Sequence, residues 1–269
     1  MIKKKLLNNL IIRHFFFIFS QIFKILKYRQ EGLSEKKFLF LLKLNLLLFE
    51  PYYLHLKKII IKEKKYFFKL KITENIDQNG YSMMPKIDTN SIDFIKFNDN
   101  NDRLITYNKI DLKLGLKFAE NNGFHKITRD YFKEDFSNFT IVSWNTKSFE
   151  EEFGSTSWHQ DRDGFKILKF FIYLDDVNQE AGPHQFICKS HKNQFLRFLP
   201  LLRYEDSEIK KYYSDIVEFT GEKGMCFAEN TRGLHRGTPP KKKIRSILQF
   251  EYYTGPIKWT EDTINIKLD

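Results

Sequence analysis

From residue 139 onward the apolar positions fall in short runs, at 139–144, 167–174, 185–188, 216–219, 225–228 and 246–253. Between them stand Gly154, Gly164, Gly182-Pro183, Gly221, Gly224 and a Gly- and Pro-bearing turn at 237–240. Many short strands with turn residues at each break predict a β sandwich or barrel. The run Lys169-Phe170-Phe171-Ile172-Tyr173-Leu174 is apolar at odd and even positions alike. That predicts a strand covered on both faces. Before this region, 112–120 reads as a short helix closed by Asn121-Asn122-Gly123, and the Asn- and Asp-rich stretch 75–101 reads as loop.

The first quarter of the chain has another texture. Leu, Ile and Phe recur with Lys and Gln between them over 15–23 and 38–49, which suits helices. The uncharged stretch 15–23 is far shorter than the roughly 20 residues needed to cross a bilayer. Lys3-Lys4-Lys5 opens like a signal peptide, but Arg13 and His14 break the apolar run and no small-residue cleavage site follows. The expected organisation is a basic, apolar helical segment over 1–75 and a domain over 76–269, with its barrel core at about 139–254.

Charge sharpens this division. Residues 1–75 hold 17 Lys and Arg against 5 Asp and Glu, a balance of +12, while the other 28 against 29 leave −1. A nucleic-acid enzyme would spread positive charge around its cleft, so nucleic acid is not an expected partner. The basic helices either pack on each other or on the domain, or make a peripheral contact with an anionic membrane surface. The 28 Phe accompany many Ile, Lys and Asn, a skew that base composition can cause, so aromatic richness alone identifies no ligand. Cys188 and Cys226 stand far apart in apolar runs, which suits inert thiols in a reducing, cytoplasmic setting.

Candidate chemistry starts at Trp158-His159-Gln160-Asp161. In an extended strand residues two apart share a face, so His159 and Asp161 can aim a nitrogen and an oxygen at one point. His235, in Gly233-Leu234-His235-Arg236-Gly237, is the candidate third ligand. The other histidines, His14, His55, His125, His184 and His191, are expected at surface or capping positions. Two imidazoles and one carboxylate leave about three sites open on a metal, the arrangement of non-haem Fe(II) oxygenases. A 2-oxo acid can chelate there, and its far carboxylate then needs a fixed cation such as Arg245. Pairing of the His235 and Arg245 segments across the turn at 239–243 is expected to bring both to one cavity.

These words, in this order, resemble the phytanoyl-CoA dioxygenase family of Fe(II)/2-oxoglutarate-dependent oxygenases. The resemblance covers roughly 139–254. It rests on Trp158 to Asp161, on the strand ending in Leu174-Asp175-Asp176-Val177, and on Gly182-Pro183 leading to Ser190-His191-Lys192. Gly233 to Gly237 and Arg245 complete it. It implies a mainly β fold, a double-stranded β-helix (jelly-roll, cupin-like) core with N-terminal and flanking α-helices. It also implies Fe(II) on His159, Asp161 and His235, with 2-oxoglutarate and O₂ as cosubstrates and Arg245 on the 5-carboxylate. Gln160 and Phe171 match positions beside the cosubstrate.

Two departures from the family pattern stand out. Lys189 replaces a glycine, and Gly237 stands where relatives often carry a hydroxyl, so either Thr238 substitutes or Arg245 acts alone. Asp161 is retained, which favours hydroxylation over halogenation. The expected activity is hydroxylation of an unactivated carbon in a small or lipid- or sugar-linked substrate, with release of succinate and CO₂. Apolar strands around Phe171 and Phe250 suit a dry cavity, and loops at 75–101 and 194–215 suit specificity. The alternative is a non-catalytic jelly-roll binding protein that keeps the metal-site residues. A cupin-like metal site without a 2-oxo acid is a third reading, against which Arg245 counts.

Overall fold

Alternation along two long strands sets the architecture. In β6 (Lys166–Tyr173) and β11 (Arg245–Thr254), successive side chains leave opposite faces. Leu168, Phe170, Ile172, Leu248, Phe250 and Tyr252 enter one apolar cluster, and Phe171, Tyr173 and Ile247 enter another. Both faces are covered, as the apolar run through residue 174 predicts. The computed structural model describes residues 70–98, 104–136, 138–149, 154–161, 166–192, 203–254 and 263–264. The expected N-terminal helices and their membrane contact lie outside these residues as far as 69, as does the loop stretch 194–202.

The remaining elements are α1 (Lys71–Asn79), β1 (Tyr81–Met83), β2 (Ile95–Lys96), β3 (Ile105–Tyr107), β4 (Lys109–Ile110), α2 (Leu112–Asn121) and α3 (Phe124–Phe132). Beyond them come β5 (Asn138–Thr146), β7 (His184–Ile187), α4 (Asp206–Tyr212), β8 (Ile216–Phe219), β9 (Cys226–Glu229), β10 (His235–Gly237) and β12 (Thr263–Ile264). One antiparallel sheet runs β1-β9-β6-β11-β5-β12, with β3 also on β5. A second runs β10-β7-β8, and the bridge His159↔His235 adds the ligand-bearing stretch to its edge. The fold is mainly β, a double-stranded β-helix with flanking helices. Phe171, Tyr173, Phe186, Phe219, Phe227 and Ile247 fill the space between the two sheets.

The helices α1, α2 and α3 cover the outer face of the larger sheet. Asp111 caps α2 by accepting from the backbone N–H groups of Lys113 and Leu114. Phe124 of α3 stacks on Phe170 at 4.2 Å, and Phe118 of α2 on Phe250 at 5.7 Å. Phe250 therefore belongs to the helix side, not to the interior cavity expected of it. Among the described residues no helix is long and apolar enough to cross a membrane.

Two local expectations are corrected. The stretch 75–101 is not simply loop: it carries most of α1, then β1 on β9, and later β2. Thr73 and Ile76 are buried on one side of α1, and this tertiary contact outweighs the poor helix propensity of Asn and Asp. Gly80, at φ +97°, ends the helix in a conformation that only glycine adopts without cost. The second correction concerns β10, which pairs with β7 and not with β11. Between β10 and β11, Pro239 and Pro240 lack the N–H a hairpin ladder requires. The chain instead crosses from one sheet to the other, with Lys241 and Lys242 donating backbone N–H groups to the Glu180 carbonyl.

Candidate metal centre

The smaller sheet brings the candidate ligands together. His159 donates its backbone N–H to the His235 carbonyl at 3.0 Å, and His235 returns one at 2.9 Å. Asp161 donates its own to Thr231 at 2.9 Å. This short ladder points His159, Asp161 and His235 into one space, where a ligand atom of each lies within 4.8 Å of the others. His235 Nε2 is 3.7 Å from Asp161 Oδ2.

Each imidazole is already oriented. The Nδ1–H of His159 donates to the Ser157 carbonyl at 2.8 Å, and that of His235 to Gly233 at 3.0 Å. Both rings are thereby set to offer a lone pair at Nε2. His159 is 7% exposed and His235 4%. Burial pushes both imidazoles below their ordinary value, which keeps them neutral and able to bind a cation. Two neutral imidazoles and a carboxylate converging on one point fit a divalent first-row metal with open positions.

Arg245 opens β11 and is 2% exposed. Its Nη1 donates to the Thr238 carbonyl at 2.9 Å, and its Nε is buried without a hydrogen-bond partner. Among the described residues no carboxylate pairs with it. Burial pushes the guanidinium down to about 10. Gly237 explains how it fits, since a Cβ there would lie 2.7 Å from Nη2. The absent hydroxyl at 237 thus makes room for the cation. Thr238 does not replace it directly. Its hydroxyl donates to the Pro183 carbonyl at 2.8 Å, and only its backbone oxygen reaches Arg245.

Phe171 lies on the inner face of β6, stacked on Phe227 and 4.8 Å from the His184 ring. Gln160 is turned the other way by strand alternation, and its amide donates to the Arg232 carbonyl. The structure therefore gathers His159, Asp161 and His235, sets Arg245 and Phe171 on the inner face of the larger sheet, and turns Gln160 aside.

Sequence reasoning missed four interior residues. His184, expected at the surface, is buried: its Nε2 shares a hydrogen bond with Glu229 Oε2 at 2.9 Å, and its ring lies 5.6 Å from that of His235. Burial, with Arg245 and Lys169 nearby, pushes His184 down to about 3, while burial pushes Glu229 up to about 8. Lys169 Nζ is 2.8 Å from Asp161 Oδ2 and 3.7 Å from Glu251 Oε2. A signal was present, because Lys169 and Glu229 each stand two residues from an inward phenylalanine, Phe171 and Phe227. His125 and His191 are also buried, the first against Phe136, Phe139 and Tyr252.

A double-stranded β-helix with a His/Asp/His cluster at one edge and a buried arginine is the class that fold and site define. Residues 92–241 match the phytanoyl-CoA dioxygenase (PhyH) family, and the chain belongs to that family. Arg245 falls just beyond the matched span. No curated protein matches the sequence.

Among solved structures, HygX from Streptomyces hygroscopicus, with nickel and 2-oxoglutarate bound, is 14% identical with a TM-score of 0.50. The match covers 70% of this chain and 87% of HygX. AviO1 from Streptomyces viridochromogenes Tue57 is 13% identical over 72% of this chain and 99% of its own, at a TM-score of 0.47. The epimerase SnoN, in complex with Fe3+, alpha ketoglutarate and nogalamycin RO, is 16% identical over 68% and 82%, at 0.46. At 14% identity what this chain shares with HygX is the fold.

Proposed function

We propose that the protein is an Fe(II)- and 2-oxoglutarate-dependent dioxygenase. It hydroxylates an unactivated carbon of a small or lipid- or sugar-linked substrate and releases succinate and CO₂. The observation that carries this reading is Arg245, a buried guanidinium that no carboxylate among the described residues pairs with, in the barrel that holds the His/Asp/His cluster. A buried cation without a counter-ion is costly, and a bound dicarboxylate supplies the missing charge. HygX, with nickel and 2-oxoglutarate bound, lends the same reading support from a shared fold.

In this assignment His159, Asp161 and His235 hold the metal through two Nε2 atoms and a carboxylate oxygen. When bound, Fe(II) with O₂ and 2-oxoglutarate supplies oxidative decarboxylation coupled to oxygen insertion. The chain's own residues bind and orient. Arg245 takes the 5-carboxylate through two parallel hydrogen bonds, and the Thr238 carbonyl holds its guanidinium in plane. Phe171 walls the path between them and, with Phe227, keeps water out. Asp161 fills the coordination position that halogenation would need for halide, so hydroxylation is the assigned outcome.

Purified protein given Fe(II), ascorbate and 2-oxoglutarate should release succinate, and Asp161→Ala and Arg245→Ala should each abolish the release. Failure of the protein to bind 2-oxoglutarate, together with no succinate, would leave the non-catalytic jelly-roll reading in its place.

A further inference from the structure

Lys169 is 7% exposed on the inner face of β6, a position where an unmatched ammonium would be costly. It is matched from two sides. Its Nζ is 2.8 Å from Asp161 Oδ2 and 3.7 Å from Glu251 Oε2. Glu251 faces Lys169 directly in the register of β11 on β6 and is completely buried. The lysine is thus held by two adjacent strands of the larger sheet, while Asp161 is held by its backbone bond to Thr231, in the turn that leads into β10. A carboxylate turns easily about its last torsion, so the backbone leaves open whether it gives a metal one oxygen or two.

We infer that Lys169 is a positioning residue for the metal: its ammonium, braced by Glu251, holds the Asp161 carboxylate so that one oxygen reaches the metal and the neighbouring coordination position stays open for the 2-oxo acid. This rests on the oxygenase reading above. Without the ammonium the carboxylate can close on the metal with both oxygens, and the second takes a position that a chelating 2-oxo acid needs. Loss of the ammonium also removes a positive charge that repels a dication. Metal binding then tightens while cosubstrate binding weakens. A fold loosened by the substitution would weaken both, so the opposite signs identify the positioning role.

The test compares wild type, Lys169→Met and the double variant Lys169→Met/Glu251→Gln. The double variant removes one positive and one negative group together, so it keeps the buried charge balanced. Each protein is titrated with Co(II), followed by visible absorption, and the Co(II) form is then titrated with 2-oxoglutarate. Lys169→Met should bind Co(II) about tenfold more tightly and 2-oxoglutarate about tenfold more weakly, and the double variant should show the same pattern. Affinities both within twofold of wild type, or both reduced in the two variants, overturn the assignment. A wild type that binds no Co(II) overturns the oxygenase reading itself and this inference with it, and the wild-type titration reports that outcome separately.

Discussion

Arg245→Met should make the ligand-free protein slightly more stable while removing its response to 2-oxoglutarate. Burial pushes the guanidinium well below its ordinary value, down to about 10. At about 1.4 kcal/mol per factor of ten, the folded protein carries a penalty of about 3 kcal/mol for keeping that charge. Against it stands the charged hydrogen bond to the Thr238 carbonyl, worth about 2 kcal/mol. Methionine fills much of the same volume without the charge. The net expectation is a gain of about 1 kcal/mol, or a Tm higher by about 2–4 °C for a domain of this size. With metal present and 2-oxoglutarate at a hundred times its Kd, the wild type gains about 2.7 kcal/mol and the variant gains nothing. The order of stability therefore inverts on adding cosubstrate. Thermal melts of both proteins, with and without 2-oxoglutarate, decide the matter. A variant destabilised by more than about 2 kcal/mol without ligand would mean that Arg245 is a structural residue and not a site kept charged for an anion.

Gly237→Ala places a Cβ against Arg245 Nη2 and should weaken 2-oxoglutarate binding about tenfold with little loss of stability, measurable by isothermal titration. Phe124→Ala empties the stack on Phe170 and should cost about 3–5 kcal/mol in denaturant unfolding while leaving Co(II) affinity unchanged, because that face of β6 is turned to the helices. His125 is held below its ordinary value by burial, so the unfolded chain takes up its proton first and the folded state loses stability as pH falls below about 6.5. His125→Phe should therefore lose less stability than wild type between pH 7.5 and pH 5.5, and an equal loss in both would show that His125 does not contribute. The basic segment over 1–75, with its balance of +12, should carry the protein to anionic liposomes in a flotation assay; binding that survives removal of residues 1–69, which leaves α1 whole, would place the contact elsewhere.

Much of the site could be read along the chain because strand geometry is local. A period of two puts His159 and Asp161 on one side and Gln160 on the other, and glycine and proline mark where strands such as β8 and β11 must stop. His235 and Arg245 could be picked out because their residue types match one chemistry: an imidazole to complete a metal site and a guanidinium for a dicarboxylate. Their relation in space could not. The turn between them reads as a hairpin, but β10 joins β7 and the chain crosses between sheets, since Pro239 and Pro240 cannot support a ladder.

The interior polar residues were hidden for another reason. His184 follows a Gly-Pro turn and looks like a surface residue, yet the pairing of β7 with β10 presses it against His235. Lys169 and Glu251 stand in apolar runs that name no partner for either charge, and only the register of β6 on β11 brings them together beside Asp161. Phe250 looked fit for the cavity and faces the helices. Which side of a strand is the inside depends on sheet pairing, a long-range property, and one strand's sequence carries the alternation without saying which phase points inward.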